Sequence, residues 1–206
     1  MKTKRSINED DIFHAGLAEF AAHGYEDASI NTIIRKANIS KGSFYYRFNT
    51  KYDLYIYILR TCLKQKWDYI RKKSNFAPDP GSPNDIFDLF AIQAKISLDF
   101  AHHYPKYHMI GVKFAKEKGT ELYNKAIKDL GRTDEAGLSG LIDTAIHNNE
   151  FNKRFSKEFI EKMISHLFSS FYEVFLHDEN TDIESVYTHL TYYIEFMRNG
   201  LAAAII

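Results

Sequence analysis

A single cysteine, Cys62, leaves this 206-residue chain unable to form an internal disulfide, so no covalent framework holds the fold. A reducing compartment is the simpler setting for such a chain. Proline is as scarce: three of the four, Pro78, Pro80 and Pro83, are crowded with Gly81 into residues 74–85, SNFAPDPGSPND. A helix cannot continue through that stretch, which reads as a break or linker. No apolar run approaches the ~18 residues of a membrane span, and no amino-terminal run resembles a signal peptide, so a cytoplasmic protein with no membrane partner is expected. Nucleophile–base pairs, glycine-rich phosphate loops and paired-carboxylate signatures are missing as well. Neither catalysis nor a cofactor is therefore expected. Cys62, set among apolar neighbours on a helical pattern, reads as an inert small residue rather than a reactive thiol. Strand-like alternation is also lacking, and the apolar spacing is helical almost throughout. The fold class expected is all-α, with about nine helices.

Net charge is zero, but its distribution is uneven. Residues 1–73 carry 14 Lys and Arg against 8 Asp and Glu, a balance of +6, which leaves −6 on the remainder. The first third is suited to face a polyanion and the rest is not.

The first helix is predicted over residues 8–23, burying Ile12, Ala15, Gly16, Leu17 and Phe20 and stopping at Gly24, where a left-handed cap is accessible. A second starts at Ser29, a good N-cap, and buries Ile30, Ile33, Ile34 and Ala37. Asn38 supplies the corner, because asparagine tolerates positive φ. A very short third helix opens at Ser40 and is anchored by Phe44 and Phe48. Thr50 and Asp53 form an approximate capping box for a fourth, which carries Leu54, Ile58 and Trp67.

Beyond the linker, residues 86–101 are apolar on nearly every side and read as a buried central helix. Pro105 is expected to end it, with a short segment through Lys113 and then one long helical pattern reaching about residue 148. Two final helices, near 156–177 and 182–204, carry the broadest apolar faces. Ile160, Met163, Leu167 and Phe171 on one, with Val186, Leu190, Tyr193, Ile194 and Met197 on the other, exceed what one core needs. They are the expected interface of a homodimer.

A recognition helix reads DNA when its first residues reach base edges and its neighbours are pinned to phosphates. The stretch SINTIIRKANISKGSFYYRFNTK, residues 29–51, has the parts for this. Lys41 and Ser43 carry donors, Gly42 permits close backbone approach, and Tyr45 and Tyr46 lie away from the Phe44 and Phe48 anchors. Lys51, at the start of the fourth helix, is expected to meet a further phosphate.

The ordered set Ile12, Ala15, Phe20, Gly24, Tyr25, then SINTII, ANISKGSFYYRF, and Lys51 with Leu54 resembles the DNA-binding head of the tetracycline-repressor (TetR) family of bacterial regulators. The likeness covers about residues 7–55. It implies a helix-turn-helix domain over 1–49 and a ligand-binding and dimerisation domain over 50–206. The function it implies is a repressor that binds a palindromic double-stranded operator as a homodimer and is released by a small-molecule effector. Carried over by position, the DNA contacts fall on Ser29, Lys41, Gly42, Ser43, Tyr45, Tyr46, Arg47 and Lys51. Ala28 stands where that family often has threonine, Asn38 where glycine is usual, and Arg47 at a common histidine position.

Effector chemistry is less sharply written. Gln93 and Ser97 are polar residues on the apolar central helix and either orient a ligand or satisfy local carbonyls. His103, Tyr107, Tyr123, Phe168 and Tyr172 complete the candidate ligand set, with core packing the competing explanation for the aromatics. His102, His103 and His108 invite a metal reading, but adjacent histidines diverge on a helix and no cysteine or carboxylate cluster completes a coordination set, so no metal is expected. The alternative function is a helical-bundle sensor of a small molecule or metal that does not bind DNA.

Overall fold

Two backbone conformations shape the amino-terminal third. Gly24 adopts φ 73°, ψ −173°, a region open essentially to glycine alone. This is a kink rather than the left-handed cap the sequence suggests: helical hydrogen bonding resumes beyond it, and α1 extends over Glu9–Asp27. Asn38 sits at φ 53° and turns the chain between α2 (Ile30–Lys36) and α3 (Lys41–Arg47). The computed structural model describes residues 9–75, 85–131, 135–175 and 182–203, the side chains of residues 75, 135–137, 169, 172 and 173 excepted.

Helices α2 and α3 each start where a side chain satisfies an orphan amide. Ser29 Oγ accepts from the Thr32 N–H at 3.3 Å, and Ser40 Oγ accepts from the Ser43 N–H at 3.0 Å. At α4 (Lys51–Asn75) the box is reciprocal: the Thr50 N–H donates to Asp53 Oδ2 at 3.0 Å, and the Asp53 N–H to Thr50 Oγ1 at 3.1 Å.

The chain divides into two compact units, one of Met1–Gln65 with Tyr104–Leu130, the other of Lys66–His103 with Gly131–Ile206. In the first, Ile12, Leu17, Phe20, Ile33, Phe44, Leu54, Tyr55 and Ile58 are almost wholly buried in one core. Gly16 lets α1 approach α4 closely: a Cβ there would lie 2.5 Å from Ile58 Cδ1, and that side chain would have to shift. Cys62 is buried in the same core, and burial pushes its thiol up to about 12, which leaves it unreactive.

Pro105 does not merely end a helix. It occupies the first turn of α6 (Pro105–Lys116), where a missing N–H costs nothing, and α6 packs along α1. The long pattern expected through residue 148 is two helices, α7 (Glu121–Leu130) and α8 (Glu135–His147). Gly131, at φ 77°, supplies the stop that the apolar spacing concealed. The Tyr52 hydroxyl donates to Asp129 Oδ2 at 2.7 Å, Arg60 donates to the Asp129 carbonyl at 2.9 Å, and Lys125 lies 4.0 Å from the Tyr52 ring centroid. These contacts tie α7 to α4 within the first unit.

The second unit is built from α5 (Ile86–His103), α8, α9 (Lys157–Phe175) and α10 (Ile183–Leu201), with α5 packed mainly on α10. Phe87, Phe90, Ile142, Ile160, Ile164, Ile194 and Met197 form its centre. Arg198 of α10 pairs with Asp85 and Asp88 at the start of α5. Among the described residues the only extended pairing is an isolated bridge between Phe151 and Ala202. Pro78, Pro80, Pro83 and Gly81 of the expected linker lie outside the described residues.

Candidate nucleic-acid interface

From Ala28 to Tyr52 the chain holds five cations, Arg35, Lys36, Lys41, Arg47 and Lys51, and no acid. Helix α3 presents part of this stretch. Its inner side is pinned by Phe44, fully buried, and by Phe48 just past its end, their rings 5.8 Å apart. With those anchors fixed, helical geometry turns the intervening residues outward.

Tyr46 is accordingly 91% exposed and Tyr45 44% exposed, the latter packed edge-on against Phe44 at 5.2 Å. Lys41 Nζ lies 5.9 Å from the Tyr45 centroid, which draws its charge to the same side. Ser43 Oγ and Ser40 Oγ are 2.7 Å apart, so one hydroxyl donates to the other and the second is left to a partner. Gly42 is open, with only Ser40 Oγ near a Cβ placed there. Arg47 forms an ion pair with Glu9 in which both side chains stay more than a third exposed. Such a surface pair is easily exchanged for a stronger anion.

Two of the expected contact residues are engaged within the protein. Ser29 Oγ caps α2. Lys51 Nζ donates to the Glu26 carbonyl at 2.9 Å and the Ala28 carbonyl at 3.3 Å, and stands 4.6 Å from the Tyr25 ring centroid. Glu19, which the motif does not single out, is the one charged residue buried among the described side chains, 3% exposed. Its carboxylate accepts from the Ser29 N–H at 3.3 Å and from Lys36 Nζ at 2.9 Å. Burial opposes its ionisation, but the hydrogen bonds from Lys36 and Ser29 more than offset it and hold its pKa below the usual carboxylate range. A signal was available: Glu19 lies seven residues beyond Ile12 on the buried stripe, where a charge needs a partner.

The remaining candidates disperse. Tyr107 and Tyr123 belong to the first unit, where Tyr107 lies 5.9 Å from Phe13 and Tyr123 stacks on Phe114 at 4.9 Å. Gln93, Ser97, His103 and Phe168 belong to the second. There Phe168 packs on Phe90 at 5.1 Å, while His103 sits 2.8 Å from the Asp99 carbonyl and 3.2 Å from its carboxylate. His102 pairs with Glu184 at 3.1 Å. Tyr172 has its side chain outside those described. Among the described residues no three of His, Cys, Asp and Glu are grouped to hold a metal ion, and no helix is long and apolar enough to cross a membrane.

Of the residues expected at a dimer interface, Ile160, Phe171, Ile194 and Met197 are already buried within one chain, so they have little surface to give a second copy. Met163, Leu167, Val186, Leu190 and Tyr193 are half-buried. Among the described residues, the large apolar side chains left exposed on α9 and α10 are Phe159, Val174, Tyr192 and Phe196.

Residues 12–58, which span α2, α3 and the cap of α4, match the family described as "Bacterial regulatory proteins, tetR family". That segment is similar to the DNA-binding region of the TetR family. It is similar to the uncharacterized HTH-type transcriptional regulator YhgD of Bacillus subtilis (strain 168), 26% identical over 140 residues. That match spans 66% of either chain, just under two thirds of the relative. Solved structures share the fold over nearly the whole length. A TetR family transcriptional regulator from Chloroflexus aurantiacus J-10-FL is 20% identical with a TM-score of 0.66, covering 95% of this chain and 93% of that one. The fatty acid degradation regulator FadR of Bacillus halodurans is 18% identical with a TM-score of 0.71, covering 94% and 100%. FadR of Bacillus subtilis, solved in complex with stearoyl-CoA, is 13% identical with a TM-score of 0.73, covering 94% and 99%. The chain shares the all-α fold of these regulators.

Proposed function

We propose that this protein is a TetR-family repressor that binds a palindromic operator in the cytoplasm as a homodimer and releases it when a small molecule binds. The observation that carries this reading is the two-sided character of α3, with Phe44 fully buried and Tyr46 91% exposed in an acid-free, cationic stretch. An exposed tyrosine hydroxyl beside lysine and arginine is a good phosphate donor.

In this reading residues 1–49 are the DNA-binding head and 50–206 carry effector binding and dimerisation. Lys41, Ser43, Tyr45, Tyr46 and Arg47 contact DNA, with Gly42 admitting the backbone, and the Ser29 hydroxyl retains a proton to donate. Two copies associate through α9 and α10, burying the exposed Tyr192 and Phe196, which lie one turn apart on the same face. Dimerisation spaces the two α3 helices about 34–36 Å apart, one turn of duplex. An effector that favours a different conformation of the second unit alters that spacing through α4, and DNA affinity falls.

The effector we propose is apolar, held among the aromatic residues of the second unit such as Phe168, with Gln93 or Ser97 orienting a polar end. The stearoyl-CoA bound by Bacillus subtilis FadR makes long-chain acyl thioesters the first compounds to try. The test is a gel shift on the DNA upstream of the protein's own gene at low salt, repeated with acyl thioesters. A shifted band that the effector dissolves supports the proposal; no shift with any palindrome in that region counts against it.

A further inference from the structure

The turn between α1 and α2 is gripped from two sides. From one, Lys51 of α4 donates to the Glu26 and Ala28 carbonyls at 2.9 and 3.3 Å, its charge also facing the Tyr25 ring at 4.6 Å. From the other, Glu19 of α1 accepts the Ser29 N–H at 3.3 Å and, through its second oxygen, Lys36 of α2 at 2.9 Å. Thus one lysine and one carboxylate from two different helices hold Glu26, Ala28 and Ser29, together with the far end of α2. Ala28 between them is buried.

We infer that Glu19 and Lys51 are positioning residues for DNA binding: they act by fixing this turn, and with it the attitude of α2 and α3, and not by touching phosphate. The inference rests on the DNA-binding reading above and departs from the role the family resemblance implies for Lys51. Three features support it. A lysine ammonium has three donors, and two of them are spent on carbonyls while the ring faces the charge. The carbonyls it serves lie where α1 ends at Asp27, and the last carbonyls of a helix need partners from outside it. Glu19 is buried and negative in a head that meets a polyanion, so electrostatics alone disfavours it; it is retained beside Ser29 and Lys36, whose donors it satisfies.

The experiment compares full-length wild type, Lys51→Met, Glu19→Gln and, as a phosphate-contact control, Lys41→Met. Each is titrated onto a duplex selected from a random pool by the wild type, at several salt concentrations, well below the melting temperature of every variant. Amide exchange of residues 26–33 is measured on the same samples. Loss of a phosphate contact lowers the steepness of log affinity against log salt by about 0.9 per contact, hence by about 2 for a dimer. Lys41→Met is expected to show that loss. Lys51→Met is expected to weaken binding about tenfold or more with the salt slope unchanged and faster exchange in 26–33. Glu19→Gln is the sharper arm, since removing a negative charge from the head strengthens binding if charge alone acts, whereas positioning requires weaker binding.

A slope for Lys51→Met that falls as far as the control, or tighter binding by Glu19→Gln, overturns the inference. Should Lys51→Met fail to fold, Glu19→Gln decides alone. If the wild type retains no duplex, the DNA-binding reading fails separately, and exchange in 26–33 then judges the clamp: equal rates in wild type and variants overturn it, slower wild-type exchange upholds it.

Discussion

Phe44 and Tyr46, two residues apart on α3, face opposite ways: the first is fully buried and the second is 91% exposed. In the proposed reading the inner ring serves stability and the outer ring contacts DNA, and the two separate under mutation. Tyr46→Phe removes one hydroxyl from the surface and leaves stability within about 0.5 kcal/mol. A hydrogen bond to a charged group contributes about 1.5–3 kcal/mol, so binding to every duplex falls about tenfold or more without a change in sequence preference. Phe44→Ala costs about 3–5 kcal/mol of folding stability. Urea melts and anisotropy titrations on the two variants check the pair.

Asn38 holds φ 53° at the corner of the helix-turn-helix. Asn38→Gly is expected to leave stability within about 1 kcal/mol of wild type, since glycine enters that region without strain. Asn38→Val forces a β-branched side chain into it and is expected to cost about 1–2 kcal/mol. Equal midpoints for the two variants in urea contradict this.

The head was legible because its boundaries are local. Ser29, Asn38, Ser40 and the Thr50–Asp53 box each act within four residues of themselves, so the order of residue types already marks starts and stops, whereas Gly24 marks a kink rather than the expected end of α1. Past residue 103 the signals become ambiguous. Pro105 is compatible with an end or a beginning, and Gly131 sits inside an apolar rhythm that continues on both sides of it. The faces of α9 and α10 were less legible still. Spacing at three and four finds an apolar stripe but not what covers it, and Ile194 and Met197 turn towards their own core while Tyr192 and Phe196 do not. The grip of Glu19 and Lys51 on residues 26–29 joins positions 10 and more than 20 residues apart, beyond any local pattern.

The depressed pKa of Glu19 sets a sign for acid sensitivity. A carboxyl that ionises more readily folded than unfolded contributes stability above its unfolded pKa, near 4.3, and loses it as pH falls through the folded value. Glu19→Gln is therefore expected to be less stable than wild type at pH 7, with the difference shrinking below about pH 4. Thermal melts across that range test it, and a gap that stays constant down to pH 3 contradicts it.

Tyr192 and Phe196 are 63% and 66% exposed on one face of α10. If that face meets a second copy, Tyr192→Asp with Phe196→Asp converts a dimer to a monomer in sedimentation equilibrium while helical content holds. Ile194→Ala, by contrast, removes core volume and costs about 2–5 kcal/mol in each chain. A wild type that sediments as a monomer at micromolar concentration contradicts the proposed interface.

The most direct measurement is hydroxyl-radical protection of a duplex selected by the wild type from a random pool, read beside the sedimented mass of the complex. The expected result is two protected patches one helical turn apart, related by a palindrome, with two protomers per duplex and both patches weakened in Tyr46→Phe. A single patch, a lone protomer on the duplex, or protection indifferent to Tyr46 would contradict the assignment of α3 as the recognition helix of a symmetric pair.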